Sequence, residues 1–302
     1  MSAAALTPPV LRLLGAVYVG LFLLSFVTLH PRLRGPELAG VRRAILAWWL
    51  PASVGGLAVL GGPPVTALVF GAVGLGCFHE YMRLWPDDRH PAVDGLAAAT
   101  IAALHGLALA GALDLAAGLL AWVAAALPLT WAALRGPQGA VTIASRRILG
   151  IALCGLALAH VPALAAGPQG APLTVLLLLT VMVNDAFQYA FGKMIGGPRL
   201  SPRLSPRKTW SGLLGGAATA SLVFAVAAPS VLPVGAAEAA LCGLVIAVVG
   251  LLGDLVVSAI KRDVGVKDTG AAIPGQGGLL DRCDSLLLTA PLFFHALAPH
   301  LR

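Results

Sequence analysis

The sequence predicts an all-α, polytopic integral membrane protein with about nine or ten transmembrane helices. Of its 302 residues, 58% are hydrophobic and only 11% are charged, and the mean hydropathy is +0.89. Soluble domains carry about 25% charged residues, so a water-soluble fold and intrinsic disorder are both excluded. The apolar residues also form runs long enough to cross a hydrocarbon core about 30 Å thick.

Hydropathy and chain-breaking residues divide the sequence into ten predicted helices. The first begins at Val10 and is predicted to be a membrane span, because it is too long for a signal peptide and lacks a basic leader. A tight turn at 61–64 separates the second and third helices, and another near Asp114 separates the fourth and fifth. The later connections are longer and polar. The predicted helices are 10–30, 44–60, 64–82, 93–113, 115–134, 148–166, 172–192, 210–230, 236–260 and 286–300.

The distribution of Lys and Arg predicts the orientation of these helices. With the N-terminus outside, every odd-numbered helix runs inward, and eighteen of the 20 Lys and Arg residues then lie in inward loops. The other two are Arg12 and Arg302. Because basic loops stay in the cytoplasm, we interpret the net charge of +7 as an orientation signal and expect no nucleic-acid partner.

Polar residues are concentrated in the C-terminal part of the chain. Residues 1–180 are predicted to form N-terminal transmembrane helices, and residues 181–302 a C-terminal catalytic transmembrane region with cytoplasmic loops at 193–209 and 261–285. The four cysteines lie far apart, which supports neither a disulfide framework nor a zinc site. His160 is predicted to be a surface histidine at a helix end, and no two histidines have the spacing of metal ligands.

Acidic residues flank a glycine-rich stretch in this C-terminal region. Asp254, Ser258 and Arg262 are spaced i, i+4, i+8 and therefore lie on one helix face. Asp281 and Asp284 are spaced i, i+3 and can share one face of the next helix. The glycine-rich stretch 274–278, which precedes Asp281, can present backbone N–H groups to phosphate oxygens. Carboxylates beside such a stretch suit Mg²⁺, alone or with a second cation, as a bridge to phosphates.

These features also have a plainer interpretation. Charged residues in inward loops often serve only as topology signals, and two aspartates three residues apart on a helix are usually solvated. Asp254 differs from them, because an ionised carboxylate inside a membrane segment needs a partner and usually marks a functional site.

The stretch from 258 to 284 resembles the sequence motif of the phosphatidate cytidylyltransferase (CDP-diacylglycerol synthase) family. The matching positions are Ser258, Lys261-Arg262, Lys267-Asp268, Gly270, Ile273-Pro274, Gly277-Gly278, Asp281-Arg282 and Asp284. Gln276 stands where the family has histidine, and Cys283 replaces an apolar residue or threonine. Glutamine forms hydrogen bonds but cannot transfer a proton, so Gln276 is not expected to act as an acid. This glutamine and the C-terminal end of the chain resemble a paralogous bacterial branch of the family.

A second segment resembles the same family. Asn184-Asp185 is followed by Phe191-Gly192-Lys193 and then by Ser205-Pro206-Arg207-Lys208-Thr209, with Arg207 in place of a family lysine. The Ser-Pro-Arg-Lys-Thr segment is predicted to cap the next helix while its cations face the cytoplasm. Glu80 and Arg83 resemble a short acidic-aromatic element of the family, which an ion pair at a helix end explains equally well.

The resemblance implies a CTP:phosphatidate cytidylyltransferase of the inner (plasma) membrane with its active site at the cytoplasmic face. It implies CTP, phosphatidic acid and the lipid bilayer as partners and Mg²⁺, alone or with a second cation, as cofactor. A homodimer is one possible assembly. The implied catalytic residues are Asp254, Asp281, Asp284 and Lys261, and the three aspartates are the implied metal ligands. The implied substrate-binding residues are Asp185, Lys193, Ser205, Arg207, Lys208, Ser258, Arg262, Lys267, Asp268, Gln276, Gly277, Gly278 and Arg282.

Two other functions stay open at this point. A CTP-dependent kinase or transferase that acts on another membrane lipid, such as a polyprenol, would share the site but transfer the γ-phosphoryl group. An ion-coupled transporter would use Asp185, Asp254 and Glu80 as a relay. Transporters typically contain internal repeats, and we find none between the two halves of the sequence.

The charge distribution generates a direct test of the topology. In a variant without the four native cysteines, we expect Arg203→Cys to react with an impermeant thiol reagent in inside-out vesicles and not in intact cells. The reason is that position 203 lies in a strongly basic inward loop. Labelling of this cysteine in intact cells would overturn the orientation.

Overall fold

The protein is described from a computed structural model, which covers residues 7–30, 39–271 and 277–300. Ten helices and one short β-hairpin follow one another along these ranges. The helices are α1 Pro8–Leu29, α2 Ala39–Leu60, α3 Gly62–Met82, α4 Pro91–Leu109, α5 Leu113–Arg135, α6 Ala140–Ala166, α7 Gly170–Met194, α8 Trp210–Ala227, α9 Ala236–Asp263 and α10 Leu280–Leu292. The antiparallel hairpin pairs β1 Arg199–Ser201 with β2 Ser205–Thr209.

The prediction of an all-α, polytopic membrane protein is confirmed. Among the described residues, eight helices are long and apolar enough to cross a membrane: α1 and α3 to α9. The apolar part of α2, Trp48–Leu60, is shorter, and α10 has 13 residues. Large apolar side chains also cover the outer surface, including Phe26, Leu68 and Trp122, which are 63%, 74% and 79% exposed. Such a surface suits contact with lipid and not with water.

Two helices begin six or more residues earlier than the hydropathy predicts. The structure starts α6 at Ala140 and α10 at Leu280, whereas the sequence predicts starts at 148 and 286. Polar residues in the first turns lower the local hydropathy, but Arg147 and Asp281 find partners inside the protein and the helices continue through them. The β-hairpin at 199–209 was not predicted either, because its strands are short and rich in proline and basic residues.

The buried histidine His160 corrects another prediction. It was expected at the surface, but it is only 6% exposed. Its Nε2 lies 3.0 Å from Nε2 of His295 in the π-helical turn Phe293–Leu297 that continues α10. Its Nδ1 lies 2.8 Å from the carbonyl oxygen of Leu156. The contact joins residues 135 positions apart, so local sequence spacing could not reveal it.

Small residues let the C-terminal helices approach one another closely. A Cβ atom added at Gly243 of α9 would lie 2.6 Å from the carbonyl oxygen of Ala220 in α8. A Cβ at Gly216 of α8 would lie 3.0 Å from the carbonyl oxygen of Asn184 in α7. Small residues are common where membrane helices pack closely. The close packing brings the polar ends of α7, α8 and α9 together.

A buried arginine joins α4 and α6 in the N-terminal region. Arg147 has no exposed surface, and its guanidinium donates to Asp94 Oδ1 at 2.8 Å and to the backbone oxygen of Asp88. The same guanidinium lies 5.6 Å from the centre of the Trp131 ring. The neighbouring Arg146 pairs with Asp88 at 2.5 Å, but its side chain is 35% exposed. Arg147 is therefore a buried structural cation and not the free loop charge that the sequence predicted.

These adjacent arginines form a matched pair for measuring the effect of burial. We expect Arg147→Met to lower the free energy of unfolding by about 2–4 kcal/mol, because it removes a buried cation and leaves the backbone oxygen of Asp88 without its donor, while Asp94 keeps its contact with Arg89. Arg146→Met should cost no more than about 1 kcal/mol, as is usual for exposed pairs. Thermal unfolding of both variants in the same detergent checks this, and equal losses would contradict the assignment of Arg147 as a buried anchor.

Candidate active site

The last turns of α9 and the strand β2 form one part of the site. Asp254 and Ser258 share a helix face, and Ser258 Oγ donates to Asp254 Oδ1 at 3.1 Å. The other carboxylate oxygen, Asp254 Oδ2, lies 2.7 Å from Lys208 Nζ. Arg262 does not join this row. It donates instead to the carbonyl oxygens of Leu204 and Val266, at 3.1 and 2.8 Å.

Two further carboxylates, Asp185 of α7 and Asp284 of α10, lie beside Asp254. Ser285 Oγ donates to Asp185 Oδ1 at 2.9 Å, and the backbone N–H of Ser285 donates to Asp284 Oδ1 at 2.8 Å. At Gly253, the absence of a side chain allows α9 to approach the backbone of Asp284. We call Asp185, Asp254 and Asp284 the acidic cluster.

The acidic cluster concentrates negative charge around the buried Asp284, and its other two members, Asp185 and Asp254, are half-buried. Asp284 precedes the predicted last span and lies outside the eight candidate membrane helices. Burial raises the pKa of its carboxyl well above the usual value, and the charges of Asp254 and Asp185 raise it further. The ammonium group of Lys208 opposes this rise in pKa. The cluster would therefore be stabilised by additional positive charge.

Asp281, one turn before Asp284, is bonded in a different way. Its Oδ1 lies 2.6 Å from Lys261 Nζ, and its Oδ2 accepts from the backbone N–H groups of Thr269 and Gly278 at 2.8 and 2.9 Å. Thr269 Oγ1 also lies 3.0 Å from Oδ2. Burial acts to raise the pKa of Asp281, but these hydrogen bonds and the Lys261 charge outweigh it and lower the pKa. Asp281 is thus an ionised carboxylate whose two oxygens already have partners.

The basic segment before α8 is only partly directed toward the carboxylates. Lys208 reaches Asp254, whereas Arg207 is exposed and Ser205 is half-buried. Lys193 is exposed and lies 6.0 Å from the centre of the Tyr189 ring. Thr209 caps α8 as predicted, because its Oγ1 accepts from the backbone N–H of Gly212 at 3.2 Å.

The remaining predicted substrate-binding residues lie around the segment between α9 and α10. Lys267, Asp268 and Arg282 are exposed, where their charges are free to meet a ligand. Gly277 has a φ of +85°, which favours glycine. Gln276 lies outside the described residues.

The predicted metal ligands do not come together as one group. Asp254 and Asp284 lie in the acidic cluster with Asp185, while Asp281 is bonded to Lys261 and the neighbouring backbone. In the part of the chain that the structure covers, no three Asp, Glu, His or Cys side chains form a ready-made metal site. The donor chemistry of the acidic cluster nevertheless fits Mg²⁺, which prefers carboxylate oxygens and retains water ligands.

Two contributors to the site were not among the predicted site residues. Glu80 at the end of α3, which the sequence analysis noted only as part of a family-like element, accepts hydrogen bonds from Thr269 Oγ1 at 3.3 Å and from the backbone N–H of Leu280 at 3.0 Å. The predicted alternative, an ion pair at a helix end, does not describe these contacts. Ser285 was missed although it directly follows a predicted ligand, Asp284. For Glu80, the resemblance at residues 80–83 was the available signal.

Comparison with known proteins identifies the family of this chain. The family model described as "Cytidylyltransferase family" matches residues 41–299. This chain belongs to the cytidylyltransferase family. The expectation from its sequence motif is therefore confirmed at the level of the family, and the matched range contains every residue of the acidic cluster.

Individual relatives of this cytidylyltransferase-family chain match its sequence over part of their length. "Uncharacterized protein YnbB" of Escherichia coli (strain K12) is 48% identical over 128 residues, which cover 42% of this chain and 43% of that protein. A phosphatidate cytidylyltransferase of Synechocystis sp. is 44% identical over 129 residues, covering 42% of this chain and 44% of the relative. One of Brucella abortus biovar 1 is 41% identical over 127 residues, covering 42% and 47%. The chain thus spans less than half the length of these relatives.

The contrast between Asp281 and Asp284 can be tested by stability alone. We expect Asp281→Asn to lower the free energy of unfolding by about 3–5 kcal/mol, because it leaves Lys261 buried without its partner. Asp284→Asn should leave the free energy of unfolding unchanged or raise it. The asparagine oxygen can still accept from the backbone N–H of Ser285, and the substitution removes one carboxylate from the crowded cluster. Thermal unfolding in detergent with EDTA measures both. A large loss for Asp284→Asn would contradict the proposed crowding.

Proposed function

We propose that this protein is a nucleotidyltransferase that makes CDP-diacylglycerol and pyrophosphate from CTP and phosphatidic acid. The observation that carries the proposal is the acidic cluster, whose Asp254 pairs with the ammonium group of Lys208. Family membership and the names of the Synechocystis and Brucella relatives support the reaction and the substrates. We further propose that the site faces the cytoplasm at the inner membrane, because the predicted inward loops contain its basic residues.

The proposed reaction needs charge neutralisation more than a strong base. The second pKa of a phosphomonoester is about 6, so the phosphate of phosphatidic acid is already largely ionised at neutral pH. An oxygen of this phosphate attacks the α-phosphorus of CTP, and a new phosphoanhydride bond forms. The bond between the α-phosphorus and the oxygen bridging to the β-phosphorus breaks, and pyrophosphate leaves with its electron pair.

We propose that Asp254 and Asp284 hold Mg²⁺, alone or with a second cation, and that Asp185 supports them. The bound cation would neutralise negative charge on the reacting phosphates. Ser258 orients the Asp254 carboxylate through its hydrogen bond. We also propose that Asp281 contributes to catalysis, because it matches the family motif. In this chain its role is to hold Lys261 through their ion pair.

Basic residues around the cluster are proposed to bind phosphate oxygens. Lys261 uses one N–H for Asp281, so its ammonium group has two further donors. Lys208 is held at the cluster, and the exposed Lys267 and Arg282 lie at the same segment of the chain. This arrangement lets CTP approach from the cytoplasm while the lipid phosphate stays at the membrane interface.

Labelled CTP distinguishes the proposed transfer from its alternatives. We expect the purified full chain, given phosphatidic acid and Mg²⁺, to place label from the α-phosphate of CTP in the lipid and label from the γ-phosphate in pyrophosphate. EDTA should stop the reaction. Asp284→Asn should reduce transfer at least a hundredfold, while the exposed Asp114→Asn should change it less than twofold.

Other outcomes of this assay would reject the proposal. Lipid labelled from the γ-phosphate would identify a CTP-dependent kinase. Folded wild-type protein that labels no lipid with either probe would exclude cytidylyl transfer to phosphatidic acid.

A further inference from the structure

Glu80 is a buried carboxylate in the N-terminal region, far along the sequence from the site. It lies in the last turn of α3 and is 8% exposed. A buried carboxylate requires hydrogen-bond donors or a cation. Its recorded donors, Thr269 Oγ1 and the backbone N–H of Leu280, are 189 and 200 positions away in the sequence. Thr269 belongs to the chain that connects α9 with α10, and Leu280 is the first residue of α10.

The surroundings of Glu80 are shaped around its carboxylate. A Cβ atom added at Gly270 would lie 2.8 Å from Glu80 Oε1, and one added at Gly278 would lie closer still to Glu80 Oε2. The carboxylate therefore occupies space that side chains at these two positions would fill. Gly270 and Gly278 of the motif thus leave room for the Glu80 carboxylate.

Glu80 and Asp281 hold the same two stretches of backbone from different helices. Asp281 accepts from the N–H groups of Thr269 and Gly278, and Glu80 accepts from the Thr269 hydroxyl and the Leu280 N–H. These contacts lie at residue 269 and at residues 278–280. The two carboxylates consequently hold these two backbone positions relative to α3 and α10.

We propose that Glu80 is a positioning residue that holds the backbone at 269–270 and 278–280 in place for binding of the phosphates of CTP. This inference rests on the proposed function. Glu80 acts through the backbone at 269–270 and 278–280 and does not itself touch the substrate. The N-terminal helices thereby contribute to a site whose main sequence motif, at 258–284, lies in the C-terminal region.

Hydrogen exchange tests the positioning without depending on activity. In the full chain in detergent, we expect Glu80→Ala to increase exchange of peptides covering residues 277–284 at least tenfold. Glu80→Gln should stay within threefold of the wild type, because its amide oxygen can still accept from Leu280. The matched control is Asp87→Ala, which removes an exposed carboxylate close to the same helix end and should have no effect. Unchanged exchange in Glu80→Ala would overturn the proposal.

Steady-state kinetics tests the link to CTP. We expect Glu80→Ala to raise the KM for CTP at least tenfold while kcat and the KM for phosphatidic acid change less than threefold, and Glu80→Gln to restore most of the affinity. A faster-exchanging Glu80→Ala with an unchanged KM for CTP would overturn the positioning role. Wild-type protein without cytidylyl transfer would instead refute the proposed function.

A second variant keeps the test decisive if Glu80→Ala does not fold. Thr269→Val removes the hydroxyl shared by Glu80 and Asp281 but keeps a branched side chain of similar shape. We expect it to raise both exchange at 277–284 and the KM for CTP about threefold. No change in either quantity would overturn the proposal.

Discussion

The ion pair between Lys261 and Asp281 is the contact on which the arrangement of the site depends. It joins the last turn of α9 to the first turn of α10 at 2.6 Å, and both side chains are largely buried. A buried pair gains its full interaction only when its remaining donors and acceptors are also satisfied. Asp281 meets this condition by accepting from the backbone at Thr269 and Gly278. Folding of the connection between α9 and α10 is therefore coupled to the compensation of these two charges.

The buried charges of this protein fall into two groups that differ in how completely they are compensated. Arg147 with Asp94, Lys261 with Asp281, and Glu80 with its loop donors are well supplied with partners. Each of them connects separate helices. The acidic cluster is supplied less well: among the described residues, its three carboxylates are contacted by one ammonium group, two serine hydroxyls, one backbone N–H and the side-chain amide of Asn184. An excess of partly buried negative charge is costly in the free protein, and it is expected where a cationic ligand or metal completes the site.

The sequence predicted the features that depend on neighbouring residues and missed those that depend on residues far apart in the chain. Hydropathy predicted the order of all ten helices, because a membrane span is a local property of about 20 residues. It missed the start of α6, where Arg147 is buried by partners some 50 to 60 positions earlier. The Thr209 cap of α8 was predicted correctly because capping also acts within one helical turn.

The composition of the site was predicted better than its internal arrangement. Spacing placed Asp254 with Ser258 and Asp281 with Asp284 on common faces, but it could not show which face meets which neighbour. The structure directs Asp284 toward Asp185, 99 positions earlier, and directs Asp281 toward Lys261. The role of Glu80 could not be predicted from local spacing either, because its donors lie 189 and 200 positions away.

Two aspartates of the motif at 258–284 have different structural surroundings. Asp281 and Asp284 are identical residues one helical turn apart, yet one is saturated by protein donors and the other lies among carboxylates. Asp281 accepts from the backbone at Thr269 and Gly278, next to the contacts of Glu80, and Asp284 lies beside Asp185 and Asp254. Gly253 permits this contact, because a side chain there would separate α9 from the backbone of Asp284. The charge of Asp281 is thus compensated by protein donors, whereas the charge of Asp284, one turn later, is compensated only in part. The proposed site for metal and phosphate needs both aspartates, the first to hold the backbone and the second to attract a cation.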